Sequence, residues 1–471
     1  MSRKRKTEHI VFENIEILTA GAKGVSVAKT PDGSVIFVPN VVPGDVVDIK
    51  TFKKRKSYFE GKAIRFHRYS EDRVEPVCKH FGDCGGCKWQ NMSYEKQLFY
   101  KNDEVYNNLK RIGKIELPEF EPILGSEKQF FYRNKMEFSF SDSRWITEKE
   151  INTSREIDRE NALGFHIPKM WDKILDIEKC YLQQDPSNCI RNEIKRFATE
   201  NGFTFFNARN HYGLLRTLMI RTTSIGEIMV LIQFFEDDKQ KRELLLDFIS
   251  EKFPEVTSLQ YVVNSKANDT LYDQNVILYK GRDYILEEME GLSFSINAKS
   301  FYQTNSEQAY ELYKITREFA GLTGNELVYD LYTGTGTIAQ FISKKARKVI
   351  GIESVEEAII DAKENAKRNN ILNCEFFVGD MKVVFNEEFI ATHGTPDVII
   401  TDPPRDGMHK DVVDQILKIA PNKVVYVSCN SATQARDLAL MDEMYKVVKV
   451  RPVDMFPQTH HVENVVLLEK R

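Results

Sequence analysis

The chain has 471 residues, 42% of them hydrophobic, with 66 Lys and Arg against 70 Asp and Glu. That length leaves room for about three domains with cores of their own. The near-neutral balance excludes a uniformly basic nucleic-acid coat, so any polyanion-binding surface has to be a local patch.

Residues 1–6 are mostly basic with no apolar run behind them, and no stretch reaches the roughly 18 apolar residues of a membrane span. The expectation is a protein with no export signal, no membrane partner and no obligate protein partner, located in the cytoplasm. Seven cysteines in that setting point to metal binding or catalysis rather than disulfides.

In residues 8–68, Val11, Ile15 and Ile17 precede Gly21 and Gly24. Short apolar runs follow at 25–28, 35–38 and 46–49, separated by Pro31-Asp32-Gly33 and Pro43-Gly44-Asp45. Strands at about ten-residue spacing predict a small β-barrel. Lys53-Lys54-Arg55-Lys56 beside Tyr58 and Phe59 joins charge to aromatics, as single-stranded RNA binders do, although a solvated hairpin tip has the same composition.

Residues 69–91 carry Cys78, Cys84 and Cys87 in a C-x5-C-x2-C spacing, with Gly85 and Gly86 allowing a tight backbone. Three thiolates need a fourth ligand, for which His80, Cys180 and Cys189 are candidates. The spacing fits zinc and an iron–sulfur centre equally. An amphipathic helix is expected over 94–112 with Leu98, Val105 and Ile112 on one stripe. Residues 122–290 mix strands at 136–140, 218–221, 227–235 and 260–264 with a helix at 244–253, and 145–160 reads as a polar exposed loop.

From about 291 the pattern changes to alternating strands and helices: strands at 327–331, 348–352, 374–378, 398–401 and 423–427, helices at 337–344, 356–369 and 412–419. That is the signature of a doubly wound parallel sheet. The first strand carries Asp330 next to its last residue and runs into Tyr332-Thr333-Gly334-Thr335-Gly336-Thr337, and Glu353 follows 23 residues after Asp330. Glycines admit close backbone approach and an acid at the next strand end takes ribose hydroxyls, so an adenosine cofactor is expected. The loop also fits the dinucleotide pattern, which leaves S-adenosylmethionine and NAD both open.

Downstream chemistry separates them. Asp402-Pro403-Pro404-Arg405, Ser428-Cys429-Asn430 and His461-Val462-Glu463 place a thiol and carboxylates at the ends of successive strand-like runs. Hydride transfer has no use for such a pair. Methylation at C5 of a uracil does: thiolate addition at C6 makes C5 nucleophilic, and a base then removes the C5 proton so that the thiol can leave. A stacked target base has to be flipped out first.

Taken in order, these motifs resemble the RNA uracil-5-methyltransferase family, over about residues 8–471. The resemblance implies an N-terminal TRAM domain and a [4Fe–4S] cluster held by Cys78, Cys84, Cys87 and Cys180. It implies S-adenosylmethionine bound by Gln303 of Phe301-Tyr302-Gln303-Thr304-Asn305 with Tyr332, Glu353, Asp380 and Asp402, Cys429 as nucleophile and Glu463 as base. His460 and His461 then read as supporting residues, and Arg133 and Lys135 receive no role. Two departures stand out: Ser431 where the family usually has Pro, and Thr333 and Thr337 where it often has Cys and Asn. Neither removes a reacting group.

The expected fold class is therefore α/β. A C-terminal doubly wound Rossmann-like methyltransferase domain (291–471) joins an N-terminal OB-like β-barrel, the TRAM domain (8–68), and a central α+β iron–sulfur domain (69–290). The helix at about 93–112 is expected to pack on the catalytic domain. The expected partner is RNA, with 23S rRNA favoured over tRNA because a separate TRAM domain and a complete cluster motif look like the ribosomal branch. Competing readings are a radical S-adenosylmethionine RNA-modifying enzyme, whose C-x3-C-x2-C motif this spacing does not match, a non-catalytic RNA-binding module, and an NAD oxidoreductase.

Overall fold

The computed structural model describes residues 10–471 apart from 152, 154–156 and 158. The basic run at 1–6, the first two residues of the expected barrel domain and five positions of the expected loop at 145–160 lie outside the described residues. Among the described residues no helix is long and apolar enough to cross a membrane.

Strands Val11–Ala20, Ser26–Lys29, Val35–Val38, Val46–Lys54 and Tyr58–Arg68 close into a barrel. Side chains alternate about the pleat, so Ile15, Ile17, Ala28, Ile36, Val38, Val47, Ile49 and Phe59 fill the inside. Phe59, one of the two aromatics beside the basic run for which base stacking and a solvated hairpin tip were both open, is thus a barrel-core residue, with Lys54 lying over its ring. Phe52 is the exposed aromatic on that hairpin.

The helix Tyr94–Asn108 continues into a wider turn at Leu109–Gly113. Its buried stripe is Gln97, Lys101, Val105 and Leu109, and Ile112 is 45% exposed. An apolar-periodicity reading misses this because two of the buried residues are polar. The helix packs on Ser431–Met441, where Asn108 donates from Nδ2 to Ser431 Oγ at 2.9 Å. Ser431 occupies the first helical position, which proline also tolerates, and here its hydroxyl makes this contact.

The central unit is a seven-stranded sheet in spatial order Ile277–Gly281, Ser258–Val263, Ile228–Phe234, Leu215–Thr222, Lys135–Ser143, Glu160–His166 and Ile174–Asp176. Helices Ser187–Glu200 and Lys239–Lys252 cover one face through Ile190, Ile194, Leu245 and Ile249. On the other face Met219, Met229, Leu231 and Val262 join the core of the C-terminal unit. Covered on both sides, Ile228–Phe234 is buried throughout, which explains its near-continuous apolar run. The expected loop at 145–160 contains a short helix, Glu148–Ile151, and Trp145 packs with Ile167, Leu175 and Ile177.

The hairpin Tyr284–Met289 and Leu292–Asn297 leads into the C-terminal unit. There β1 (Leu327–Leu331), β2 (Lys348–Glu353), β3 (Cys374–Val378), β4 (Val398–Thr401), β5 (Lys423–Ser428), β6 (Tyr445–Val453) and β7 (Glu463–Lys470) form one sheet in the order β3-β2-β1-β4-β5-β7-β6. The first five strands are parallel and β7 runs against β5 and β6. This is the doubly wound arrangement that the alternating pattern predicts. The strand order reverses between β1 and β4, so the binding crevice falls outside the carboxyl ends of these strands.

Candidate active site

That crevice collects the candidate residues from six chain segments. Tyr332 and the glycine loop follow β1, Glu353 ends β2, Asp380 follows β3, Asp402 follows β4 and Cys429 follows β5. Because β7 is antiparallel, its first residue, Glu463, lies at the same edge, with Asn464 opposite Ser428 in register. The thiol and the carboxyl are therefore neighbours by topology.

The glycine loop needs left-handed backbone. Tyr332 (φ +63°), Gly334 (+55°) and Gly336 (+73°) all lie there. A Cβ on Gly336 would meet the Phe376 ring at 2.8 Å, whereas one on Gly334 would meet nothing within 4 Å. The loop is thus closed on the helix side and open toward the crevice. Gly334 N donates to Glu353 Oε2 at 3.2 Å, while Glu353 Oε1 accepts from Ser354 N, Ser354 Oγ and Val355 N at 2.7–3.0 Å. Asp380 caps its helix by accepting from Lys382 N at 3.0 Å, which holds its carboxyl below the usual range. The half-buried Gln303 is tied down through its carbonyl by Asn134 Nδ2 at 2.9 Å.

Two residues outside the sequence-derived set enter the site. Asp330 is buried at the end of β1, where its Oδ2 accepts from Thr333 Oγ1 at 2.5 Å and Ala339 N at 3.1 Å, and its Oδ1 has no partner. Thr333, one of the two departures, thus supplies a hydroxyl to this acid. Tyr313, on the helix Ser306–Ala320, is buried close enough to Asp402, Asp330 and Glu463 that their charges add to burial in pushing its phenol well up. An acid next to the last residue of the strand that leads into the glycine loop was the signal for Asp330. Tyr313 sits at ordinary core spacing and gave none.

Electrostatically the crevice is overloaded with carboxyls. Burial pushes Asp402 to about 7, with Asp330 adding to it. Asp330 itself stands at about 7 from burial, against its two hydrogen bonds. Glu463 rises to about 8 through burial and then Asp402, with Arg405 opposing. Burial, Glu463 and Asp402 lift the Cys429 thiol to about 11, and Arg405 pulls it down. Arg405 is placed for this by its own carbonyl, which accepts from Asn430 Nδ2 at 2.9 Å and Thr433 Oγ1 at 3.1 Å. His460 and His461 lie side by side, ring centroids 4.1 Å apart, and burial lowers them to about 3 and about 4. Neutral at physiological pH, they contribute no positive charge.

Cys78, Cys84, Cys87 and Cys180 line one cavity of about 560 Å³, with His80, Gln90, Arg133 and Tyr181 also on its wall. Cys189 is exposed and lies outside that wall. Burial raises all four thiols, Cys84 to about 11 and Cys87 to about 12; Cys180 and Cys78 lift both of these further, and Cys84 also lifts Cys87. Among the described residues no three His, Cys, Asp or Glu side chains converge closely enough to hold one metal ion. The Cys180 segment is anchored by Asn188 Oδ1, which accepts from Cys180 N at 2.8 Å, and by the buried Arg191, which donates to Glu178 O at 2.7 Å.

Comparison with known proteins fits this geometry. A family profile described as tRNA (Uracil-5-)-methyltransferase matches residues 272–471. An uncharacterized RNA methyltransferase of Bacteroides thetaiotaomicron is 59% identical over 453 residues, 96% of this chain and 100% of the relative. The chain belongs to the RNA uracil-5-methyltransferase family. An uncharacterized RNA methyltransferase of Chlorobaculum tepidum is 39% identical over 94% of this chain and 93% of its own. The crystal structure of Pyrococcus abyssi tRNA (uracil-54, C5)-methyltransferase in complex with S-adenosyl-L-homocysteine superposes with a TM-score of 0.75 at 28% identity, over 96% of this chain and 100% of that one. As a family member the chain is an S-adenosylmethionine-dependent methyltransferase, which sets aside the NAD oxidoreductase reading.

Proposed function

We propose that the protein methylates C5 of a specific uridine in RNA, with Cys429 as nucleophile and Glu463 as base. The observation that carries this reading is the juxtaposition, at one sheet edge, of a half-buried thiol after β5 and a buried carboxyl opening β7, with Asp402 and Arg405 beside both.

The residues present fit S-adenosylmethionine. Asp330 and Glu463 are buried carboxyls, Asp330 with an unpartnered oxygen, the half-buried Asp402 lies near them, and the glycine loop is open at Gly334. A cationic ligand compensates such a set. Gln303, Tyr332, Glu353, Asp380 and Asp402 are the proposed cofactor contacts, and the bound cofactor supplies an electrophilic methyl group. Cys429, deprotonated with the help of Arg405, adds to uracil C6 and makes C5 nucleophilic. After methylation Glu463 removes the C5 proton, the C5=C6 bond re-forms and the C6–S bond breaks, returning Cys429. A pKa near 8 suits Glu463 to hold that proton and pass it on near neutrality.

The four-cysteine cavity supports a [4Fe–4S] cluster on Cys78, Cys84, Cys87 and Cys180. A single zinc ion at about 2.3 Å from each sulfur requires thiolates that meet at a point, whereas a polynuclear cluster is ringed by them. We assign 23S rRNA as the substrate, on the sequence argument above. The full-length likeness to the Pyrococcus tRNA enzyme favours tRNA as the second reading. The barrel (8–68) and central unit (69–290) would then carry RNA binding and the cluster, and 291–471 catalysis.

The test uses anaerobically purified protein, labelled S-adenosylmethionine, and 23S rRNA fragments and tRNA transcripts in parallel, digested to nucleosides. Label in 5-methyluridine from one RNA is the expected result. Cys429→Ala should abolish transfer and keep RNA binding, and Glu463→Gln should transfer once and accumulate covalent protein–RNA adduct. Normal turnover of Glu463→Gln without adduct would remove it from the role of base.

A further inference from the structure

Glu463 is delivered to the site by the nine-residue segment 454–462 that joins β6 to β7. This segment is held chiefly by chain that is distant in sequence. Leu124 O accepts from Asp454 N, and Tyr132 Oη and Asn305 Nδ2 donate to Pro457 O and Met455 O, all at 2.9 Å. From the cysteine loop, Lys88 N and Trp89 N donate to Gln458 O at 2.8 and 3.0 Å. From the helix Tyr94–Asn108, Gln97 pairs with Gln458 in both directions at 2.9–3.0 Å.

One member of this set is charged. Lys101 Nζ lies 2.6 Å from Asp454 Oδ1 and donates to Phe456 O at 3.1 Å, and neither side chain of the pair has any solvent exposure. Asp454 also accepts from Phe456 N at 3.0 Å and Tyr94 Oη at 2.9 Å. A buried ion pair is a poor way to gain stability, because desolvation offsets attraction and apolar residues of similar volume do as well. Its value lies in direction: one ammonium fixes both a side chain and a carbonyl in the first turn of the segment ahead of the base.

We propose that Lys101, acting through Asp454 and Phe456 O, is a positioning residue that sets the register of segment 454–462 and so the placement of the Glu463 carboxyl. This rests on Glu463 being the base. Loss of the clamp therefore affects C5 deprotonation in particular, after methyl transfer and before release of Cys429.

The experiment compares wild type, Glu463→Gln, Lys101→Met and the double variant Lys101→Met/Asp454→Asn as full-length protein. The double variant leaves no unpaired buried charge and keeps an acceptor for Phe456 N. Each is checked for iron content and S-adenosylmethionine binding, then followed through one and many turnovers with adduct resolved on denaturing gels. The expected result for the double variant is an intact first methyl transfer, adduct accumulation as in Glu463→Gln, and multiple turnover at least tenfold lower. Adduct in Glu463→Gln but none in the Lys101 variants, whether they turn over normally or slow at every step, overturns the clamp alone. No adduct in Glu463→Gln overturns the base assignment and the clamp with it.

Discussion

S-adenosylmethionine, bound as proposed, would bring a sulfonium and an ammonium, balanced by one carboxylate, into the crevice that holds Asp330, Asp402 and Glu463. With pKa values pushed up to about 7, 7 and 8, these coupled groups hold on the order of one proton between them near neutral pH. A cation nearby favours their charged forms. Binding should therefore expel on the order of one proton near pH 7.5 and markedly less at pH 9, where the carboxyls are largely ionised already. Calorimetric titration in buffers of different ionisation enthalpy reads this number from the slope of heat against buffer enthalpy. S-adenosylhomocysteine, without the sulfonium charge, should release fewer protons. A zero slope with S-adenosylmethionine at pH 7.5 would refute the claim that these carboxyls are neutralised by burial.

The sign for stability is also fixed. Carboxyls raised in the fold stabilise it below their unfolded pKa near 4, and that contribution is lost as pH rises through 7 to 8. Thermal unfolding should show the cofactor stabilising the protein more at pH 8.5 than at pH 6.

Gly336→Ala should cost about 2 kcal/mol or more in denaturant unfolding, because left-handed strain of about 1–2 kcal/mol adds to contact with the Phe376 ring. Gly334→Ala carries only the strain, so it should leave the fold near wild type while weakening cofactor binding measured by titration. Cys180→Ser should lose iron and visible absorbance after anaerobic purification, whereas Cys189→Ser, exposed on its helix, should keep both. Lys101→Met alone leaves Asp454 buried and unpaired, which should cost about 3–5 kcal/mol in unfolding measurements, and adding Asp454→Asn should recover much of it.

What the sequence made legible follows from which forces leave a periodic trace. The parallel strands β1, β2, β4 and β5 are short and mostly buried on both faces, so each shows as an apolar run, whereas the edge strand β3 buries only Phe376 fully and is legible from its apolar run ahead of Gly379. The strand-end rule then placed Glu353, Asp402 and Cys429 at one edge. β6 and β7 were not read as strands, and only the antiparallel turn between them brings Glu463 back to the thiol. The four thiols around one cavity depend on a contact across about a hundred residues, for which spacing offered three candidates, and Cys189 proved to be turned away. The helix Tyr94–Asn108 shows the limit most clearly. Its buried face carries Gln97 and Lys101 because their partners, Gln458 and Asp454, lie more than 350 residues away. A stripe search that looks for apolar residues rotates the helix toward Leu98 and Ile112 and hides these two. A buried polar residue is legible only once its partner is known, and in this chain the partners belong to the segment that leads into Glu463, the proposed base.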